Sequence, residues 1–309
     1  MTALASTLFD TQAQAPIVYL CDPLLERHGV TVAVKREDLL HPLVSGNKWR
    51  KLKYNLLYAR AEGFDTLLSF GGAYSNHIHA LASAGRLMDF TTIGVIRGEE
   101  HDPLNPVLSH ARREGMRLHF VSREEYRQRH DPRWQRALQA QLGHSFLIPE
   151  GGSNELALKG VAEIWDEVHE PFDYIATACG TGGTAAGLIR SAPEATRILA
   201  FAVLKGAEFL HRELERLAAG AKTNWRLLLD YHGGGYARLS ADLVRFMDRF
   251  EARHGFMLDP VYTAKMMYGL YQEVAQERFD AGSRILALHT GGLAGRASMQ
   301  AAMARLRDA

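Results

Sequence analysis

Two lysines stand close together in Val44-Ser-Gly-Asn-Lys-Trp-Arg-Lys51, where a turn of small residues opens a helical run that continues through Leu52, Leu56 and Leu57. Basic residues in a first helical turn oppose the helix dipole by roughly a few tenths of a kcal/mol each, so local stability by itself would place acids there. The ordinary reading is a solvated helix face. An anion nearby is the reading that accounts for the position.

A cradle for such an anion lies further along the chain. Cys179-Gly-Thr-Gly-Gly-Thr184 follows the β-rich run Tyr174–Ala178 and precedes a helical run that begins near Ala185. Glycines there expose backbone N–H groups at a helix N-terminus, where the macrodipole favours negative charge, so the loop reads as a phosphate site. The same residues fit the dinucleotide pattern G-x-G-x-x-A, which also demands an acid at the end of the next strand. That strand ends Ala202-Val-Leu-Lys-Gly206, and Glu208 comes late. A nicotinamide cofactor is therefore the weaker alternative, with Lys205 leaving room for a phosphorylated ribose.

Three more small-residue loops stand at expected strand ends: Phe70-Gly-Gly-Ala-Tyr-Ser-Asn-His77, His232-Gly-Gly-Gly-Tyr236 and His289-Thr-Gly-Gly-Leu293. Ser75 and Asn76 are good helix caps, while His77 and His79, two apart, point to different faces and make a poor metal pair. The loops of parallel strands converge on one sheet edge, where open α/β folds bind ligands, so the four describe one site. No H-E-x-x-H, G-x-S-x-G or G-x-x-x-x-G-K-[ST] pattern occurs. A phosphate cradle with a lysine at a helix mouth points to a cofactor held as an imine, of which pyridoxal phosphate is the common example.

The elements that must position these residues alternate. Strands are expected at Thr31–Val34, Thr66–Phe70, Thr92–Ile96, Leu118–Val121, Phe146–Ile148, Tyr174–Ala178, Ile198–Val203 and Ile285–Leu288. Helices are expected at Lys48–Ala61, His77–Met88, Asn105–Glu114, Ala157–Val168, Ala185–Ser191, Glu208–Ala219, Ala241–His254 and Thr263–Glu277. The alternation predicts an α/β fold with mostly parallel sheets. Ser122–His144, rich in Arg, Gln and Glu, reads as a solvated surface helix and loop. Glu150-Gly-Gly-Ser-Asn-Glu155 is the best crossing between domains, with Ser153 or Asn154 as cap of the next helix.

The chain has 309 residues, 47% hydrophobic and 23% charged, enough for one large or two smaller domains with a real core. Its 36 Lys and Arg against 35 Asp and Glu give no field that would recruit nucleic acid or a membrane, so the partner is expected to be small. Cys21 and Cys179 form no disulfide framework and no zinc pattern, which suits a reducing cytoplasm. The opening Met1–Asp10 lacks the features of a signal peptide, no run approaches a membrane span, and no metal site is expected.

Seven stretches, in order, resemble the D-cysteine desulfhydrase and 1-aminocyclopropane-1-carboxylate deaminase family: Lys35-Arg-Glu-Asp38, Gly46-Asn-Lys-Trp-Arg-Lys51, Gly71-Gly-x-x-Ser-Asn76, Ile148-Pro-Glu-Gly-Gly-Ser-Asn154, Gly180-Thr-Gly-Gly-Thr184, Leu258-Asp-Pro-Val-Tyr-Thr263 and His289-Thr-Gly-Gly292. The resemblance implies two three-layer α/β domains of the tryptophan synthase β-like kind, pyridoxal-phosphate fold type II. Residues 1–50 and 152–309 would form the larger, cofactor-binding domain and 51–151 the smaller, with the site between them and a homodimer as the assembly. It also implies that Lys48 forms the Schiff base, that Lys51 with Gly180, Thr181, Gly182, Gly183 and Thr184 holds the phosphate, that Asn76 meets the ring 3′-oxygen and that Thr290 faces the ring nitrogen. Ser75, Asn76, His77 and Gly291 would meet the substrate carboxylate, and Tyr236 and Tyr262 its side chain.

Deaminases of that family carry Gln after Ser-Asn and Glu after Pro-Val-Tyr, where this chain has His77 and Thr263. The expected reaction is accordingly β-elimination from D-cysteine or a similar small amino acid to pyruvate, ammonia and sulfide. Lys48 would take the Cα proton, Tyr262 or Tyr236 would donate to the leaving group, and Ser75 would orient or attack the substrate. Opening of 1-aminocyclopropane-1-carboxylate is the runner-up; a nicotinamide-dependent oxidoreductase and a non-catalytic cofactor-binding protein are the alternatives from other classes.

Overall fold

The computed structural model describes residues 7–10, 14–220 and 224–307. Residues 1–6 and 308–309 lie outside it, and with them the first part of the stretch read for a leader and both ends of the expected larger domain. Ten strands occur among the described residues: β1 Ile17–Tyr19, β2 Thr31–Lys35, β3 Thr66–Gly72, β4 Thr91–Arg97, β5 Arg117–Val121, β6 Phe146–Ile148, β7 Tyr174–Cys179, β8 Arg197–Ala202, β9 Trp225–Leu228 and β10 Arg284–Leu288. They form a six-stranded sheet in the order β1-β2-β10-β7-β8-β9 and a four-stranded sheet in the order β5-β4-β3-β6. All neighbours run parallel except the β1–β2 edge pair.

Parallel strands joined by helices are covered on both faces, so their residues sort by parity rather than by polarity. Val32, Val34, Ala176, Leu199, Phe201, Ile285 and Ala287 pack with Val244, Met247, Met266 and Leu270 from the helices Ala241–His254 and Thr263–Ala275. Their neighbours Ala33, Ile175, Ile198, Ala200, Leu286 and Leu288 face Leu188, Leu210 and Leu214 from Gly183–Ser191 and Phe209–Leu217. The eight expected strands are all present, Phe146–Ile148 with the expected bounds and the others with ends moved by a residue or two. The two unforeseen ones, β1 and β9, are short, with a single residue of β9 buried.

The helix Asn47–Ala61 is tied to β2 by buried charge. Arg50 donates to both oxygens of Glu37 at 3.0 Å each and reaches Glu167 at 2.6 Å, while Lys35 reaches Glu167 at 2.6 Å and Ala15 O at 3.1 Å. The same helix lies against Glu155–Ala162 so closely that a Cβ on Gly160 would stand 1.9 Å from Arg50 O.

Two expectations need correction. The helical run expected over Ala157–Val168 ends at Ala162, and a 3₁₀ turn at Trp165–Glu167 follows. The break brings Glu163 to Lys53 and Tyr54, and Glu167 to Lys35 and Arg50, so paired charges outweigh helical continuity. Ser122–His144 is not simply a solvated face. Its helix Pro132–Leu142 and 3₁₀ turn Glu125–His130 bury Leu138 and Tyr126 with Phe70, Ile93 and Val95, and Trp134 packs against them. A few apolar side chains among many charges suffice, because burial is decided by the face they share. Replacing Gly160 by Ala should destabilise the protein by about 2 kcal/mol or more in urea denaturation, although alanine is the better helix former by about 1 kcal/mol.

Candidate active site between the two sheets

The carboxyl ends of β3, β7 and β10 border a cavity of about 1110 Å³ lined by Lys48, Lys51, Ser75, Asn76, His77, the 180–184 loop, Tyr236, Tyr262, Thr290 and Gly291. Every residue singled out from the sequence as catalytic, cofactor-binding or substrate-binding thus faces one space, with both sheets contributing.

The first turn of Asn47–Ala61 is seated on the β10 loop. Gly46 adopts φ +68°, and a Cβ there would lie 2.0 Å from Thr290 O, so only glycine allows this approach. Asn47 N donates to that same carbonyl at 3.2 Å, and Asn47 Nδ2 donates to Thr184 Oγ1 at 2.8 Å. The helix that carries both lysines is thereby fixed to the β10 and β7 loops at once. Lys48 Nζ donates to Asn47 Oδ1 at 2.7 Å. Burial pushes its pKa down to about 8, against the opposing pull of the Asp259 carboxylate.

Lys51 is 2% exposed, and its Nζ donates to Ser153 Oγ at 3.0 Å. Burial, then the charge of Lys48, holds it well below the usual lysine range. Ser153 Oγ also shares a hydrogen bond with Thr181 Oγ1 at 2.8 Å, and a Cβ on Gly183 would lie 2.8 Å from Lys51 Nζ. Lys51 Nζ thus abuts the start of Gly183–Ser191. The first backbone bond there is Ala186 N to Gly182 O at 2.8 Å, and the preceding amides of Gly183, Thr184 and Ala185 have no backbone acceptor. Asn154 caps the following helix through Ala157 N, so of the two expected cap residues Ser153 serves the cavity instead. Burial pushes the Cys179 thiol up to about 12, which makes it inert.

A second set of free amides lies opposite. Ser75 caps the helix Asn76–Leu87, its Oγ accepting from Ile78 N at 3.3 Å and its carbonyl from His79 N at 3.1 Å, while the amides of Asn76 and His77 have no backbone acceptor. The His77 ring is engaged inside the fold. Ser69 Oγ gives its proton to Ile148 O at 2.8 Å, so at 2.8 Å from His77 Nε2 it must accept. The ring therefore carries hydrogen on Nε2, and Nδ1 is a buried acceptor with no partner. Burial, reinforced by Lys48 and Lys51, holds the imidazole well below its ordinary pKa. A neutral acceptor cannot donate to a carboxylate, so His77 can meet an anion through its amide alone.

Tyr236 and Tyr262 stand edge to face with centroids 6.1 Å apart, and burial raises both phenols so that they keep their protons. Lys265 Nζ donates to Gly235 O at 2.6 Å and so pins the triple-glycine loop that presents Tyr236. Ser153 as a lysine partner, Lys265 and the buried Asp259 were not apparent from sequence. Ser153 and Lys265 bond to residues distant in the chain, whereas Asp259 sits in a motif, Leu258-Asp-Pro-Val-Tyr-Thr263. No cluster of metal-binding side chains occurs among the described residues. Two desolvated amines beside two sets of unengaged amides fit a ligand that carries a phosphate and an aldehyde.

A family model of pyridoxal-phosphate dependent enzymes matches residues 8–291, which removes the nicotinamide alternative; the missing acid after β8 had already weakened it. A bifunctional D-cysteine desulfhydrase/1-aminocyclopropane-1-carboxylate deaminase of Arabidopsis thaliana is 31% identical over 87% of this chain and 74% of its own. A D-cysteine desulfhydrase of Klebsiella pneumoniae is 29% identical over 91% of this chain and 92% of its own. The crystal structure of an ACC deaminase homologue superposes with a TM-score of 0.83 at 28% identity, covering 95% of this chain and 94% of that one. The His77 ring nitrogens should show one Nε2–H form in ¹⁵N NMR, with no titration between about pH 6 and 9; a midpoint near 6.5 would overturn this tautomer.

Proposed function

The chain belongs to the pyridoxal-phosphate dependent enzymes, in the family of D-cysteine desulfhydrases and 1-aminocyclopropane-1-carboxylate deaminases, and from that premise we propose that it is a lyase that eliminates the β-substituent of a small amino acid, D-cysteine foremost. The reading is carried by one observation: the Lys48 amine, held near the pKa of a working base at about 8, opens onto the same cavity as the Lys51 amine and the glycine amides.

In this reading Lys51, Ser153, Thr181 and the amides of the 180–184 loop hold the phosphate, Asn76 meets the ring oxygen, and Thr290 meets the ring nitrogen. When bound, the cofactor withdraws electrons from the substrate's α-carbon. The amides of Asn76 and His77, with Ser75 and Gly291, orient the substrate carboxylate at a helix N-terminus. Lys48 Nζ removes the Cα proton. Tyr236 or Tyr262, still protonated, donates to the departing sulfide, and with water the products are pyruvate, ammonia and sulfide.

Desulfuration is preferred over ring opening because Thr263 occupies the position where the deaminases carry Glu. Its Oγ1 accepts from Asp259 N at 2.8 Å and it is wholly buried, so no carboxylate stands there. Opening of 1-aminocyclopropane-1-carboxylate is the second reading, favoured by the names of the relatives. The proposal includes a division into residues 1–50 with 152–309 around the six-stranded sheet and 51–151 around the four-stranded one. It also includes a cytoplasmic setting, suited to two free cysteines, and a homodimer, which rests on the family resemblance.

Lys48→Ala should abolish the borohydride-reducible visible absorbance and reduce turnover by about 10³-fold or more, read by keto-acid release from a panel of D- and L-amino acids and 1-aminocyclopropane-1-carboxylate. Release from D-cysteine ahead of the rest supports the first reading, and preference for the cyclopropane supports the second.

A further inference from the structure

The turn after β10 belongs to no strand or helix, yet it presents Thr290 and Gly291 to the cavity. The peptide group between those two residues is held at both ends. Its carbonyl, Thr290 O, accepts from Asn47 N at 3.2 Å, and its N–H, on Gly291, donates to His289 Nδ1 at 3.3 Å. A trans peptide is a rigid plane whose C=O and N–H point in opposite directions, so a hold on one end orients the other. The first turn of the helix that carries Lys48 therefore rests on a peptide whose far side is gripped by an imidazole.

That imidazole is itself fixed inside the fold. His289 is 1% exposed, its Nε2 lies 2.8 Å from Met257 O, its N–H donates to Lys35 O at 3.0 Å, and its carbonyl accepts from Asp38 N at 3.1 Å. A carbonyl only accepts and an amide N–H only donates, so hydrogen sits on Nε2 and the Nδ1 lone pair faces Gly291. Asp38 Oδ1 stands 3.4 Å from Nδ1 and would draw a proton there, but Arg36 already donates to both oxygens of that carboxylate, at 2.8 and 2.7 Å. Burial also holds the ring below its ordinary pKa, against the pull of Asp38.

We propose that His289 is a positioning residue of the reaction: its Nδ1, through the Gly291 N–H, fixes the peptide on which the Lys48 helix is seated. If that peptide turned, Asn47 would lose its acceptor, and Thr290 and Gly291 would lose their places in the cavity wall. That Lys48 and Thr290 take part in the reaction rests on the proposed function; the grip on the peptide does not.

The test compares His289→Asn with His289→Gln. Asparagine keeps an oxygen near the position of Nδ1 but is too short for Met257 O, whereas glutamine keeps an N–H for Met257 O and leaves Gly291 without its acceptor. In cofactor-free protein, amide hydrogen exchange at Gly291 and Asn47 should be about tenfold or more faster in His289→Gln and within about threefold of the wild type in His289→Asn, with Leu286 in β10 unchanged as the reference. In the loaded enzyme, kcat/KM for the amino acid turned over fastest should fall about tenfold or more in His289→Gln and recover in His289→Asn. Equal losses in the two variants, or no change in His289→Gln, would show that His289 serves the fold alone. Should neither variant fold, ¹⁵N NMR of the wild type decides: a bare Nδ1 with hydrogen on Nε2 supports the proposal, and hydrogen on Nδ1 overturns it. A wild type that eliminates from no amino acid would defeat the proposed function and leave the exchange rates to decide whether His289 grips the peptide.

Discussion

Two amines, Lys48 and Lys51, are held out of water three residues apart at the start of one helix, where the helix dipole, desolvation and their mutual repulsion all oppose positive charge. Burying an ammonium is costly unless anions or strong acceptors surround it. The helix meets that cost for one residue only. Arg50, buried between them in sequence, receives carboxylates from Glu37 and Glu167, whereas Lys48 and Lys51 receive neutral oxygens, from Asn47 and Ser153. The distribution leaves a demand for negative charge on one side of the helix, next to amides that are unengaged for the same reason. A phosphate-bearing aldehyde satisfies both.

The rest of the architecture keeps that unfavourable arrangement in place. The Lys35–Glu167–Arg50–Glu37 network locks the helix to β2, Gly46 lets its first turn rest on the β10 loop, and Asn47 joins it to Thr184 beyond β7. Around the cavity burial acts selectively. It keeps His77 neutral, Cys179 a thiol and both tyrosines protonated, and it lowers both Lys48 and Lys51 from the usual lysine range. Lys48, lowered to about 8, opens onto the cavity that these groups line.

Much of this was legible beforehand, and the reason is physical. Strands covered on both faces must be apolar throughout, so β3, β4, β7 and β10 announced themselves, and the glycines at their ends marked where backbone approaches a ligand. The short edge strands β1 and β9 carried too little pattern to register. The helix expected to run to Val168 stopped at Ala162 because Glu163 and Glu167 found distant cations, and Tyr126, Trp134 and Leu138 were hidden within the polar run Ser122–His144. Periodicity describes what a segment favours alone, and these are places where partners far along the chain prevailed.

The order of residue types by itself determined the α/β class, the four glycine-bearing loops and the lysine that opens the site, since each follows from local chemistry carried in a few consecutive residues. Only tertiary structure decided that Ser153 faces Lys51 rather than capping a helix, that the His77 ring spends its proton on Ser69 and leaves Nδ1 unpartnered, and that one carboxylate oxygen of Asp259 is buried without a partner. Those outcomes depend on which groups are desolvated together, and desolvation is a property of the packed molecule, set by neighbours scores of residues away.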